Sequence, residues 1–351
     1  MLPSALLHST YVLDGKSADG VAFVIDALEG LRSLNAFTNS LHFKFPKEIG
    51  PNQMALLSGA VNSNTTLTSL KIQSKQVVGG ESLKALSEGL RSNFTISSVD
   101  LKGNKIGDEG VKVLVGLLRK PSITCWNLEG NGIRSEGMKL ICDALRTNPS
   151  ITLMRLGATK IKEEGLTSLA ELLRCTSTRT SLKLNTNALL SNEAFIAALH
   201  TTSSLTSLKL VKGDISEEAM EIIAKVIRGN TTITSLALEG NQIQRGCIQQ
   251  LAKALSGNST ITSLSLGHTL LGEEGLASLV AAFRVNSTLR SLNLERNILG
   301  DDGVELFAGV LRVNSVITSL NLKGNNIEDE GIKILAEVLQ GNSSLTSLNL
   351  G

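Results

Sequence analysis

The sequence predicts an α/β solenoid, a curved horseshoe with parallel β-strands on the concave face and α-helices on the convex face. Three observations predict it: a recurring apolar motif, a strand-like alternation at the start of each repeat and a helix-like spacing in its second half. Eleven copies of the motif begin at residues 67, 96, 123, 151, 179, 205, 233, 261, 289, 317 and 345, and seven of the ten intervals are 28 residues. This regular period indicates a stack of similar units.

The first half of each repeat has the apolar pattern L-x-x-L-x-L, as in Ile317, Leu320 and Leu322. The alternation in its second part favours a short strand with one buried face. An asparagine then follows, and its amide can bond backbone groups at a tight bend. These bend asparagines are Asn104, Asn131, Asn187, Asn241, Asn297 and Asn325. Where other residues replace them, we expect the bend to be held less firmly; these are Lys75, Thr159, Gly213 and Thr269.

The second half of each repeat has helical spacing, as in Ile332, Leu335 and Val338 within "EDEGIKILAEVLQGN". Acidic residues precede this spacing, where they can cap a helix and complement the positive end of its dipole. Gly341 and Asn342 mark the end of the helix, where the chain must reverse. A strand and a helix of this length cannot bury their apolar faces alone, so neighbouring units must stack.

The repeats define two predicted regions. Residues 67–351 form the solenoid, with ten full units and a terminal half unit, and residues 1–66 form degenerate capping repeats. Within the cap, residues 18–30 and 52–64 resemble the helix half and residues 40–45 resemble a strand. Four of the eight phenylalanines, at positions 23, 37, 43 and 45, lie in this region, as expected for bulky residues that plug the end of a stack.

The C-terminal half unit has a strand but no helix of its own. Leu345, Leu348 and Leu350 are therefore predicted to form an open apolar edge. Terminal repeats normally carry a polar outer face. We expect either that the chain is a fragment of a longer protein or that a partner covers this edge.

The repeat sequence "LTSLNLKGNNIEDEGIKILAEVLQGN" resembles the leucine-rich repeats of the ribonuclease-inhibitor-like subclass, and most closely those of NOD-like receptors. The resemblance covers residues 67–351. It implies a horseshoe solenoid and says little about function, because the same solenoid serves sensors, inhibitors, GTPase activators and cytoskeletal proteins.

Composition and charge limit the functional classes. Thirty-four basic and 32 acidic residues leave a net charge of +2, so no global field favours nucleic acid or an anionic membrane. No secretory or membrane-spanning segment is evident, which predicts a soluble cytoplasmic protein. Six glycosylation sequons all fall at the ends of predicted helices, where turn chemistry explains them; their asparagines are Asn64, Asn93, Asn230, Asn258, Asn286 and Asn342.

The sequence offers no chemistry of an enzyme, cofactor or metal site. "DGKS" at 14–17 lacks the first glycine of a phosphate-binding loop, because position 10 is threonine. The four cysteines have no metal-ligand spacing, and the four histidines have no local catalytic partners. Trp126 takes a core position, so we interpret it as packing. We predict a non-enzymatic protein without a cofactor or metal.

The outward position between the last two apolar residues carries the informative side chains. In three consecutive repeats in the middle of the chain this position holds a cation, namely Arg155, Lys183 and Lys209, and Lys212 follows nearby. One hypothesis is that these residues bind an acidic protein surface or a phosphate-bearing ligand. The alternative is a solvated face with no ligand. The position one residue before the central leucine of each repeat is nearly always serine. Because serine rarely anchors an interface, this favours a broad, weak contact or a site elsewhere.

Three functions remain open. The first is a non-enzymatic protein–protein interaction scaffold, with a sensing or regulatory role as the resemblance to NOD-like receptors implies. The second is a GTPase activator resembling the Ran-activating family, which has the same solenoid. The third is a structural subunit of a large assembly. The sequence does not identify the partner, the pathway, the binding face or the oligomeric state.

Overall fold

A computed structural model describes residues 10–14, 39–45, 49–74, 80–158, 161–185, 192–211 and 214–351. The chain divides into two compact units, residues 1–181 and 182–351. Strand β7, Arg179–Asn185, runs across this division. The division lies inside the predicted solenoid, and the predicted boundary of the cap at residue 66 stays a prediction.

The described part of the first unit alternates strands and helices. Its strands are β1 Thr10–Asp14, β2 Ser40–Phe45, β3 Ser69–Ser74, β4 Ser98–Asp100, β5 Cys125–Asn127 and β6 Leu153–Ala158. Its helices are α1 Pro51–Ser63, α2 Gly80–Ser92, α3 Gly107–Leu118, α4 Ser135–Thr147 and α5 Glu163–Cys175.

The described part of the second unit continues the alternation. Its helices are α6 Glu193–Thr201, α7 Glu217–Gly229, α8 Arg245–Ser256, α9 Gly272–Val285, α10 Gly300–Leu311 and α11 Asp329–Gly341. Its strands are β8 Leu205–Val211, β9 Asp214–Ile215, β10 Ser235–Ala237, β11 Gln242–Ile243, β12 Ser263–Ser265, β13 Ser291–Asn293, β14 Ser319–Asn321 and β15 Ser347–Asn349.

The strands of each unit form a parallel sheet in chain order. The order is β1-β2-β3-β4-β5-β6 in the first unit and β8-β10-β12-β13-β14-β15 in the second, where β9 and β11 form a separate parallel pair. The central leucines of adjacent repeats lie opposite each other, as Leu264 does with Leu236 and Leu292. The predicted repeat register is therefore confirmed, and each unit is an α/β repeat solenoid.

The core of each unit lies between the sheet and the helices. The predicted inward residues are buried: Ile317, Leu320 and Leu322 have at most 1% of their surface exposed. Trp126 is also buried, at 1% exposure, which confirms its assignment to the core. Each helix packs against the next one in its unit, so apolar surface is buried between repeats as well as within them.

The bend asparagines act as predicted and also join adjacent repeats. The amide nitrogen of Asn297 donates to the carbonyls of Leu294 in its own repeat and Leu266 in the preceding one, at 3.0 and 2.8 Å. At Thr269 a hydroxyl replaces the amide; it lies within hydrogen-bond distance of the carbonyl oxygen of Leu266 in its own repeat and Oδ1 of Asn297 in the next, at 2.7 and 3.0 Å. Among the described residues it makes no bond to the preceding repeat, which agrees with a weaker hold on that bend. Four positions lie outside the described residues: Lys75, Thr159, Asn187 and Gly213.

The asparagines that follow the helices lie at the helix ends, as predicted, and they also join adjacent repeats. They are in extended conformation, with φ from −69° to −93° at Asn286 and Asn342, so they are not left-handed helix terminators. Instead Oδ1 accepts from the backbone two residues later and, except at Asn148, three residues later, and Nδ2 of every member after Asn64 donates to a carbonyl of the preceding repeat, as at Asn286. We name these residues return asparagines: Asn64, Asn93, Asn148, Asn230, Asn258, Asn286, Asn314 and Asn342.

The acidic residues of the first helical turns also differ from prediction. Asp108 and Asp301 do not cap their own helices; each Oδ1 accepts from the backbone N–H of the residue that precedes the next helix, Arg134 and Glu328 respectively. Helix stacking places that N–H within 2.7 and 2.8 Å of the carboxylate. Capping therefore operates between repeats at these two positions.

The N-terminal region confirms part of its prediction. The predicted strand at 40–45 is β2, and the predicted helix at 52–64 is α1 within one residue at each end. Phe43 and Phe45 are buried and their rings stack at 5.9 Å. The helix-like segment 18–30, Phe23 and Phe37 lie outside the described residues.

Candidate interaction surface

The exposed face of each sheet carries the predicted outward side chains. In the first unit, Arg155 on β6 is exposed, and among the described residues no ion pair or hydrogen bond holds its guanidinium. In the second unit, Lys183 on β7 and Lys209 on β8 are half-buried. Lys212 lies outside the described residues. The binding role of these four residues stays a prediction.

Lys209 is less available than the sequence suggested. Its ammonium group is ion-paired with the carboxylate of Glu239, which lies at the bend after β10. Burial alone would raise the pKa of the Glu239 carboxyl, but hydrogen bonds from Lys209 and Ser265 lower this pKa below its ordinary value. The charge of Lys209 is therefore balanced locally.

The polar residues beyond Lys209 are joined to this ion pair. Asn293 donates to Ser265 at 2.9 Å, and Asn321 donates to Asn293 at 2.9 Å and to Glu295 at 3.3 Å. These groups satisfy one another on the face of β12 to β14. A partner that bound here would have to replace bonds that already exist.

Asparagine and aspartate in the outward column also have a structural role. The side-chain oxygens of Asp100, Asn127, Asn293 and Asn321 each accept from the backbone N–H two residues later. This Asx turn ends the strand. Their recurrence in the column therefore has a cause independent of binding.

The face of the first unit contains a groove of about 300 Å³. Parallel pairing sets one large polar side chain from each of five strands in a row across it. We call this the polar row: His42, Lys71, Asp100, Asn127 and Arg155. Lys71 and Asp100 lie 4.0 Å apart, a distance at the limit of an ion pair.

His42 is a member of the polar row with a ring nitrogen that is buried and unpaired within the described part of the chain. Its Nε2 is buried and has no hydrogen-bond partner among the described residues. Burial, followed by the charge of Lys71, lowers the pKa of His42. The imidazole is thus kept neutral more strongly than in water, although Gln73 and Asp100 oppose this shift.

Other groups with potential chemistry are dispersed. Burial raises the pKa of the Cys142 thiol to about 12, which makes the thiolate scarce near neutral pH. Within the described ranges, no group of three or more histidine, cysteine or acidic residues could hold a metal ion. No described helix is both long enough and apolar enough to cross a bilayer.

The predicted C-terminal edge consists of β15 and its leucines. β15 pairs with β14, and Leu345, Leu348 and Leu350 are half-exposed, unlike the buried leucines of the preceding repeat. In helix α11, Ile332 is 43% exposed. A role for this edge in association stays a prediction.

Comparisons with known proteins identify the repeats. A family model described as a leucine-rich repeat matches residues 92–115, 119–142, 229–245, 285–308 and 313–336. These segments lie in both units. The chain therefore carries leucine-rich repeats, and the fold of each unit is the α/β leucine-rich-repeat fold.

Two solved structures are similar to this chain at low sequence identity. The leucine-rich-repeat-containing protein LegL7 from Legionella pneumophila is 18% identical, with a TM-score of 0.49, over 97% of this chain and 89% of LegL7. The tropomodulin C-terminal domain from Caenorhabditis elegans is 20% identical, with a TM-score of 0.33, over 38% of this chain and 82% of that domain. The search of curated proteins found no match.

Two features of this surface were missed from the sequence. Glu239 follows the outward column by two residues, so a column-by-column comparison did not set it beside Lys209. The polar row lies in the outward column itself, but the hypothesis from the sequence was limited to the cations from Arg155 onward and did not include Lys71 or His42. The direct parallel register gives the polar row, and comparison with residues two positions further along the next strand sets Glu239 beside Lys209.

Proposed function

We propose that this protein is a non-enzymatic protein-interaction scaffold, a sensing or regulatory module whose sheet face binds a partner with an acidic surface. We also propose that its repeats belong to the ribonuclease-inhibitor-like subclass and are nearest to those of NOD-like receptors. The leucine-rich-repeat matches support a scaffold, because such repeats present an extended surface rather than a single deep pocket.

One observation carries the proposal: Arg155 stands exposed on the sheet face without a bonding partner among the described residues. A guanidinium whose N–H groups are not already bonded can donate two parallel hydrogen bonds to one carboxylate. Lys183, half-buried on β7, is the second cation that we assign to partner binding. Lys209 contributes less, since Glu239 already balances its charge.

The test is capture of proteins from a cell lysate on the immobilised full chain, at about 50 mM and about 300 mM salt. We expect specific partners whose recovery falls at the higher salt and falls about tenfold when Arg155→Glu or Lys183→Glu is used. Lys139→Glu and Lys253→Glu are matched controls, because both lysines are exposed on helices. Equal recovery by all four variants, or no specifically retained protein, would contradict the proposal.

A further inference from the structure

The groove on the sheet face of the first unit is lined in part by residues whose buried polar atoms lack hydrogen-bond partners in the described part of the chain. Four buried side-chain polar atoms among the described residues have no partner, and two of them, Nε2 of His42 and Nε1 of Trp126, belong to residues that line this groove. A buried polar group without a hydrogen-bond partner destabilises the protein, because it has lost its bonds to water. A polar ligand in the groove could satisfy at least the histidine.

Four polar groups on the corresponding face of the second unit already have partners. Lys209, Glu239, Ser265 and Asn293 bond one another there. In the first unit, by contrast, the guanidinium of Arg155 is exposed, and among the described residues Lys71 makes one ion pair, the long contact with Asp100. Of these groups, Arg155 and Lys71 are therefore the ones that remain open to a ligand.

The charges of the polar row suggest the chemistry of the ligand. In strand order the row contains a neutral histidine, a cation, an anion, an amide and a cation. Its two cations, Lys71 and Arg155, are separated by three strand spacings, which is about 14 Å. An extended peptide covers about 14 Å in four residues.

We propose that this groove binds an extended segment of a partner protein that carries two acidic residues four positions apart and a basic or amide residue midway between them. The acidic side chains meet Lys71 and Arg155, and the middle residue meets Asp100 and Asn127. The segment crosses the strands along the polar row, and one of its donors reaches Nε2 of His42 when the imidazole ring turns towards the groove. This inference rests on the proposed function and specifies the site and the partner chemistry.

The groove can be tested with defined peptides. The probe is the fluorescein-labelled peptide Ser-Gly-Glu-Ser-Lys-Ser-Glu-Gly-Ser, and binding to the full chain is followed by fluorescence anisotropy at about 50 mM salt. Two further peptides serve as controls. One has lysine in place of each glutamate and glutamate in place of the lysine. The other has its two glutamates two positions apart instead of four. We expect the first peptide to bind most tightly.

Charge reversal in the protein then identifies the contact. We expect Arg155→Glu and Lys71→Glu each to weaken the first peptide about tenfold, and the double variant to prefer the charge-exchanged peptide. His42→Leu should weaken the first peptide without changing the preference for charge. The matched control Lys139→Glu, on helix α4, should have no effect, and circular dichroism checks that every variant is folded.

The outcomes separate this inference from the proposed function. If the first peptide does not bind, or if Arg155→Glu and Lys71→Glu leave its affinity unchanged, the groove is not the site proposed here. Should lysate capture nevertheless still depend on Lys183, the scaffold function stands without this groove. Binding of the charge-exchanged peptide by the double variant is the result that supports the inference most specifically, because a folding defect cannot produce it.

Discussion

The return asparagines show how much a single side chain contributes at the scale of the residue. Asn286 accepts from the backbone of Thr288 and Leu289 at 3.0 and 2.8 Å and donates to Leu255 and Asn258 at 2.9 and 3.1 Å. The same amide nitrogen would carry a glycan if the sequon were used. Because Asn286 is buried and this nitrogen is bonded, the sequons are explained by the stacking of repeats.

One repeat has a lysine in place of its return asparagine and keeps the donated bonds to the preceding repeat, although an ammonium group cannot accept from the backbone as the amide oxygen does. Lys120 donates to the carbonyls of Leu90 and Arg91 at 2.7 and 2.8 Å and to that of Asn93, and its ammonium lies 4.3 Å from the centre of the Phe94 ring. A cation at the C-terminal end of a helix also complements the helix dipole. Donated bonds to the preceding repeat are therefore kept at this position even where asparagine is absent.

Replacement of Asn286 by alanine tests this role. The variant leaves two carbonyls and two backbone N–H groups without their partner, so we expect a loss of about 2–4 kcal/mol in the free energy of unfolding. Urea unfolding followed by circular dichroism measures it. Ser287→Ala, at the exposed neighbouring position, should change stability by less than about 0.5 kcal/mol. Equal losses in the two variants would contradict the role.

His42 makes a prediction about pH at the same scale. Its pKa is lowered in the folded state, so between that value and the ordinary pKa of 6.5 the unfolded chain binds the proton more readily. Stability is therefore fully present above pH 6.5 and is lost as the pH falls towards the folded-state pKa. The lysines Lys71 and Lys44 oppose protonation, whereas Asp100 and Gln73 favour it.

Urea unfolding at about pH 7.5 and about pH 5.5 measures this dependence. We expect a lower midpoint at the more acidic pH and a smaller difference in His42→Gln. His268→Gln, on the exposed loop after β12, serves as the control and should retain the difference seen in the native sequence. A native-like pH dependence in His42→Gln would rule out this histidine as its source.

At the scale of the element, the helices depend on their neighbours for capping. The carboxylate of Asp301, in the first turn of α10, accepts from Glu328 N–H at the start of α11. Asp302 lies in the same turn and is exposed. The two residues thus share the charge effect on the helix dipole, but only Asp301 makes the inter-repeat bond.

This pair gives a matched comparison. We expect Asp301→Ala to lower the free energy of unfolding by about 1 kcal/mol, as for the loss of a helix cap, and to speed amide exchange at the start of α11. Asp302→Ala should have a smaller effect and leave exchange in α11 unchanged. If the two variants have the same effect, the bond to Glu328 adds nothing to stability.

At the scale of the whole molecule, the repeat period made the fold predictable. The apolar pattern gives the strand register directly, since residues 28 apart must lie opposite each other to share a core, as Leu264 and Leu292 do. The bend asparagines were predictable for the same reason. The return asparagines were recognised as a column, but their bonds to the preceding repeat require knowledge of which carbonyls the stacking brings near.

The interaction surface was less predictable because its contacts cross from one repeat to the next with an offset. Lys209 was expected to be an available cation, yet the bend that follows β10 sets Glu239 against it. Nor does the sequence reveal that Nε2 of His42 is buried and unpaired, since that depends on the packing around β2. Charge columns indicate candidate residues, and three-dimensional neighbours decide which of them are available.

The most direct test of the account is hydrogen–deuterium exchange of the full chain followed by mass spectrometry. We predict slow exchange at the strand amides and at the amides bonded to the return asparagines, recurring at the 28-residue interval of the repeats. The latter amides include Leu67, Ile96, Ile233, Ile261, Leu289 and Ile317. Protection that does not follow this interval, or rapid exchange at these six amides, would contradict the account.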